Sequence, residues 1–128
     1  MFLAMDASNT ESQPLRQIAA KLIERGLVYL VAWGPNCREV EDDFDLACVE
    51  WELDRSDPNA QSSSDVLMTT SHPDEPLSEA LWFFLNCAEA TEGFKASCRD
   101  WVAVAIGNTS WADEIRIRIQ NRVQSQST

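Results

Sequence analysis

Residues 69–75, Thr-Thr-Ser-His-Pro-Asp-Glu, gather three hydroxyls, the chain's one histidine and two carboxylates within seven positions. Hydroxyl, imidazole and carboxylate are the parts of a general acid–base or nucleophilic site. Adjacency of Ser71 and His72 in sequence does not supply the geometry. A nucleophile needs its base within hydrogen-bond reach and a third group that orients the base. The same residues make a polar turn in which Asp74 and Glu75 favour the amino terminus of a following helix electrostatically. No residue is therefore expected to be catalytic. A second turn, Gly107-Asn108-Thr109-Ser110-Trp111, offers backbone donors to an anion at a helix start and an indole for stacking. It has a lone glycine, and the chain has neither a glycine-rich dinucleotide loop nor a phosphate loop with its lysine. No cofactor is expected, and His72 has no neighbouring ligand pair that would hold a metal.

The strongest charge feature is the run Glu39, Glu41, Asp42, Asp43, Asp45, Glu50 and Glu52, with almost no offsetting base. A solvated helix face explains it in part. Clustered carboxylates also speed encounter with a positively charged protein and pair with its Arg and Lys side chains. Glu39, Asp42, Asp43, Asp45 and Glu50 are the candidates for contact with such a basic partner. Barstar and other small acidic α/β nuclease inhibitors work by this logic, an analogy of size, charge and layer type with no shared motif.

These groups need elements to position them. Three apolar runs, 27–33, 66–70 and 101–106, each end in a polar or glycine-containing turn followed by a helix start. Strand, turn and helix repeated in this way predict an α/β domain. The expected architecture is a three-layer α/β/α sandwich around a mainly parallel three-stranded sheet of order 2-1-3. Its crevice would lie at the carboxyl edge of the sheet, lined by Trp33, Asn36, His72, Asn108, Ser110 and Trp111. The first helix is predicted from Leu15, Ile18, Ala19, Leu22 and Ile23 between Ser12 and Gly26, and the second over 37–53 with Asn36 as its cap. A third starts after Pro76 with the stripe Leu77, Ala80, Leu81, Phe84, Leu85 and Ala88. Trp82 and Phe83 lie off that stripe, so they either widen the core contact or offer a surface to a second copy of the chain. Residues 114–119 fit a helical face through Trp111, Ile115 and Ile119, yet they alternate as an extra edge strand at the C-terminus would. Loose ends are expected at about 1–12 and 124–128, and a mobile loop at 54–65, where Asp-Pro and three serines cannot pack.

The turn Trp33-Gly34-Pro35-Asn36-Cys37, between a buried strand and a helix start, resembles the active-site turn of thioredoxin-like redox proteins, Trp-Cys-Gly-Pro-Cys. The likeness covers about 20 residues, from Tyr29 to Cys48. Gly34 stands where that family has its nucleophilic cysteine, Gly-Pro is displaced by one residue, and Cys37 matches the second, resolving cysteine. The resemblance implies a redox role for Cys37.

A chain of 128 residues with 45% hydrophobic content, five Trp and five Phe is read as a single α/β domain with material for a core. Ten basic residues against 21 acidic ones give a net charge of −11, a field that repels phosphate backbones and anionic lipid. Nucleic acid and membrane are therefore disfavoured as partners. No apolar run approaches the ~20 residues of a membrane span, and residues 2–5 lack the basic lead-in of a secretory signal. Cys37, Cys48, Cys87 and Cys98 form no CxxC pair. A cytoplasmic protein with free thiols is the expectation. The functional expectation is a non-enzymatic acidic interaction module, of inhibitor or immunity type, that binds a basic protein. The alternative is a small enzyme or ligand-binding domain using the crevice.

Overall fold

The computed structural model describes residues 1–55 and 67–126. Over these residues it is an α/β fold with four helices and a fully parallel sheet of four strands. The elements in chain order are β1 (Phe2–Ala4), α1 (Ser12–Glu24), β2 (Tyr29–Trp33), α2 (Cys37–Arg55), β3 (Met68–Ser71), α3 (Leu77–Asn86), β4 (Ala103–Ala105) and α4 (Thr109–Gln126). A short 3-10 turn, Glu92–Phe94, precedes β4. The strand order is β3-β2-β1-β4.

The period of two along each strand divides the core between the two faces of the sheet. Leu3, Leu30 and Ala32 pack with α1 and α2, through Leu15, Ala19, Ile23, Val40, Phe44 and Ala47. Phe2, Ala4 and Val31 pack on the other face with α3 and α4, through Leu77, Ala80, Leu81, Phe84 and Ile115. Strands covered on both faces read as continuous apolar runs, as β1 and β2 do.

The strand order corrects the three-stranded expectation. Residues 2–4, expected to be part of a loose end, form β1, buried throughout between β2 and β4. The Phe2 N–H donates to the Val102 carbonyl at 2.8 Å, and the Val31 N–H donates to the Met1 carbonyl at 2.9 Å. The Met1 amino group donates to the Tyr29 carbonyl at 2.6 Å, and burial pushes it down to about 6. Three residues are too few to display a period, and their unbroken apolar character is consistent with a strand covered on both faces.

The C-terminal edge strand is also overturned, because residues 114–119 lie within α4. Ile115 is buried and Ile119 packs beside it, whereas the alternating Ile117 is exposed. Helix formation satisfies each backbone group locally, without the neighbouring strand that an added edge would need. Asn108 caps this helix by accepting the Trp111 N–H at 3.0 Å, while Ser110 is exposed. Of the expected loop at 54–65, residues 54 and 55 close α2, and the remainder lies outside the described residues. At the other expected loose end, residues 124–126 belong to α4, and 127–128 lie outside the described residues.

Gly34 holds β1 and β2 at their close approach. Its φ is 119°, and a Cβ added there would lie 2.1 Å from the Met5 carbonyl oxygen. Only glycine meets both conditions.

Candidate functional site

Trp33 ends β2 and organises the carboxyl edge of the sheet. Its indole N–H donates to the Glu75 carbonyl at 2.7 Å, which ties β2 to the turn between β3 and α3. Its ring meets the Trp111 ring edge-on, with centroids 5.0 Å apart, which ties the same strand to the start of α4. Beside Trp33 a cleft of ≈ 590 Å³ opens between the turn after β2 and the turn after β3, with Asn36, Cys37, Glu39, His72 and Asp74 among its walls. Asn36 and Asp74 both take left-handed backbone, at φ 59° and 63°, a conformation that Asn and Asp tolerate better than most residues.

His72 is buried at the head of this cleft with both ring nitrogens engaged. Nδ1 lies 3.0 Å from Glu75 Oε2, and Nε2 lies 3.1 Å from Thr70 Oγ1. Thr70 in turn shares a hydrogen bond with Tyr29, whose phenol burial pushes up. The imidazole also packs on Phe83, with ring centroids 4.7 Å apart. Hydroxyl, imidazole and carboxylate are thus in line, but through Thr70 and Glu75 rather than the adjacent Ser71. Alternation along β3 explains this. Ser71 faces α2, where it hydrogen-bonds Glu41, and Thr70 and His72 face α3. Thr70 is not among the residues lining the cleft. The chain of bonds fixes the turn and aims the Glu75 carboxylate.

Of the six expected crevice residues, the fold brings Trp33, Asn36 and His72 together around the cleft. Asn108, Ser110 and Trp111 lie beyond β1, because that strand separates β2 from β4. Asn108 is used as a cap, and Trp111 reaches across to Trp33. The point at which the strand order reverses falls between β1 and β4, one strand from its expected place.

Cys37 is buried at the start of α2, and burial pushes its thiol up. The exposed, low-pKa attacking thiol of the thioredoxin type has no counterpart in this turn, because Gly34 holds its place and Cys37, at the resolving position, is a buried thiol.

The acidic helix divides its carboxylates by face. Glu39, Asp42, Asp45, Glu50 and Glu52 are exposed. Asp43 is only 5% exposed and accepts from Arg16 Nε at 3.2 Å, which binds α2 to α1. That placement corrects its assignment as a partner contact, because a helix of period 3.6 puts residue 43 beside the buried residues 40, 44 and 47. Asp45 accepts the Thr69 hydroxyl at 2.6 Å. Carboxylate oxygens of Glu41, Asp42 and Asp45 lie within 4.8 Å of one another. Partial burial, with Asp45 and Asp42 adding repulsion, raises the Glu41 pKa against the Ser71 hydrogen bond.

Sequence reasoning missed the apolar residues between these acids. Leu46, Val49 and Leu53 are 47%, 52% and 69% exposed and follow one another at intervals of three and four along the outer side of α2. Their spacing is itself a helical signal, overshadowed by the stronger stripe that faces the core.

Among the described residues no helix is long and apolar enough to cross a membrane. No curated protein and no solved structure shows significant similarity to the chain. A family model described as a domain of unknown function, DUF7684, matches residues 1–122, and the chain belongs to that family.

Proposed function

We propose that this protein is a non-enzymatic, cytoplasmic interaction module that binds a basic protein partner through the outer face of α2, in the manner of an inhibitor or immunity protein. The observation that carries the reading is the exposed stripe Leu46, Val49 and Leu53, bordered by Glu39, Asp42, Asp45, Glu50 and Glu52. Exposed apolar side chains in a line, rimmed by charge of one sign, have the composition of a protein-binding patch. The apolar stripe supplies burial energy, and the carboxylates select a partner with Arg and Lys around a complementary apolar centre. A net charge of −11 adds long-range attraction toward such a surface.

The test is affinity capture from the native host's extract with wild type, Asp42→Lys with Glu50→Lys, and Leu46→Ser with Val49→Ser. A captured basic protein that is released by salt and lost with both double variants supports the proposal. Equal capture by all three proteins would remove α2 from the mechanism. These positions are exposed, so the variants should retain the wild-type melting temperature and a loss of capture is not a loss of fold.

A further inference from the structure

On the opposite face of the sheet from α2, a second cleft of ≈ 470 Å³ runs along α3 and is lined by His72, Glu75, Ser78, Glu79, Trp82 and Phe83. Three of these residues present aromatic rings, two present carboxylates and none is a lysine or arginine. Trp82 is 61% exposed, a large apolar side chain left in water beside the cleft. The floor is rigid, because Phe83 packs on the His72 ring at 4.7 Å and His72 holds the Glu75 carboxylate at 3.0 Å. Glu79, in the first turn of α3, is exposed at the rim.

Aromatic faces attract cations through the ring quadrupole, and neighbouring carboxylates strengthen that attraction. A planar guanidinium suits such a cleft better than a compact ammonium, since it can stack on an indole while its N–H groups pair with a carboxylate. We infer that the α3 cleft receives an arginine side chain of a partner protein, stacked on Trp82 and paired with Glu79 and the Glu75 oxygen that does not face His72. This site lies on the other face of the sheet and stands independently of the α2 proposal.

The experiment follows the indole N–H signals of the ¹⁵N-labelled full chain by NMR during titration with Nα-acetyl-arginine amide, its neutral isostere Nα-acetyl-citrulline amide, Nα-acetyl-lysine amide and free arginine. The Trp82 signal is assigned from Trp82→Phe. Capped arginine should shift Trp82 in a saturable manner, citrulline should not, and lysine should bind at least about threefold more weakly. Glu79→Gln and Trp82→Ala should each weaken capped arginine at least about threefold, and Asp42→Lys on α2 should leave it unchanged. Both altered positions are exposed, and melting temperatures verify the folded state of each variant. Equal shifts with citrulline, or shifts confined to other tryptophans, would overturn the site. Tighter binding of free arginine would assign the cleft to a metabolite, and concentration-dependent Trp82 shifts without any probe would assign it to a second copy of the chain. Either result would overturn the arginine side chain of a partner as its occupant.

Discussion

At the scale of single residues, neighbours in sequence have opposite fates, and the local period decides which. Ser71 and His72 are adjacent yet face different layers, so the apparent nucleophile and base serve separate hydrogen-bond systems. Asp42 and Asp43 are equally informative. Asp42 is exposed beside Glu41 and Asp45, whereas Asp43 is buried with its oxygen on Arg16. Removing Asp43 leaves the Arg16 guanidinium without its anchor and a polar hole between α1 and α2. Arg16 is partly exposed and can turn toward water, which limits the loss. Asp43→Ala should therefore cost about 1–2 kcal/mol of unfolding free energy. Asp42→Ala should change stability by less than about 0.5 kcal/mol, with a slight gain where it relieves like-charge repulsion. Urea denaturation of the two variants beside wild type measures the contrast. Equal losses would mean that the α1–α2 ion pair contributes nothing to stability.

At the scale of elements, the sequence was readable where a period could repeat and unreadable where it could not. The first helix and the start of α2 at Cys37 match the fold, with Leu15, Ala19 and Ile23 buried as expected, whereas Ile18 of the same predicted stripe is 54% exposed. The alternation of Ile115, Ile117 and Ile119 misleads because a helix also places residues 111, 115 and 119 together, and three alternating positions cannot choose between the two. β1 is the larger omission, since its three residues carry no turn signal and lie near an end of the chain. Its insertion moved Asn108 and Trp111 away from the expected crevice and left only Trp33, Asn36 and His72 in one place. The energetic weight of β1 is large for its length. Phe2 is fully buried and meets Phe84 with ring centroids 5.9 Å apart, in the layer formed by α3 and α4. Phe2→Ala should cost about 3–5 kcal/mol through lost burial and a residual cavity. A loss below about 1 kcal/mol in chemical denaturation would return these residues to the status of a loose end. Leu46→Ala, on an exposed side of α2, should change stability by less than about 0.5 kcal/mol in the same assay.

At the scale of the whole molecule, the question is how 21 acidic and ten basic side chains share one surface. Arg116 and Arg118 bind Asp113 and Glu114 on their own helix, and Lys95 lies beside Glu89 and Glu92. Arg16 is drawn to Asp43 on the inner side of α2. Among the described residues no ion pair engages the exposed α2 carboxylates Glu39, Asp42, Asp45, Glu50 and Glu52, in line with the proposed approach of a basic partner. That distribution makes salt act in opposite directions on folding and on binding. Within the folded protein the excess carboxylates repel one another, and raising ionic strength from about 0.01 M to about 0.1 M shortens the screening length from ~30 Å to ~10 Å. Screening should raise the melting temperature by roughly 2–5 °C over that interval. The same screening weakens long-range attraction to a basic partner, so its association rate should fall over the same interval while its dissociation rate changes less. Differential scanning calorimetry and surface-immobilised binding kinetics in matched buffers test both halves. A melting temperature that falls with salt would show that attractive pairs dominate the fold's electrostatics. A salt-independent association rate would mean that the apolar stripe on α2 acts without the acidic rim.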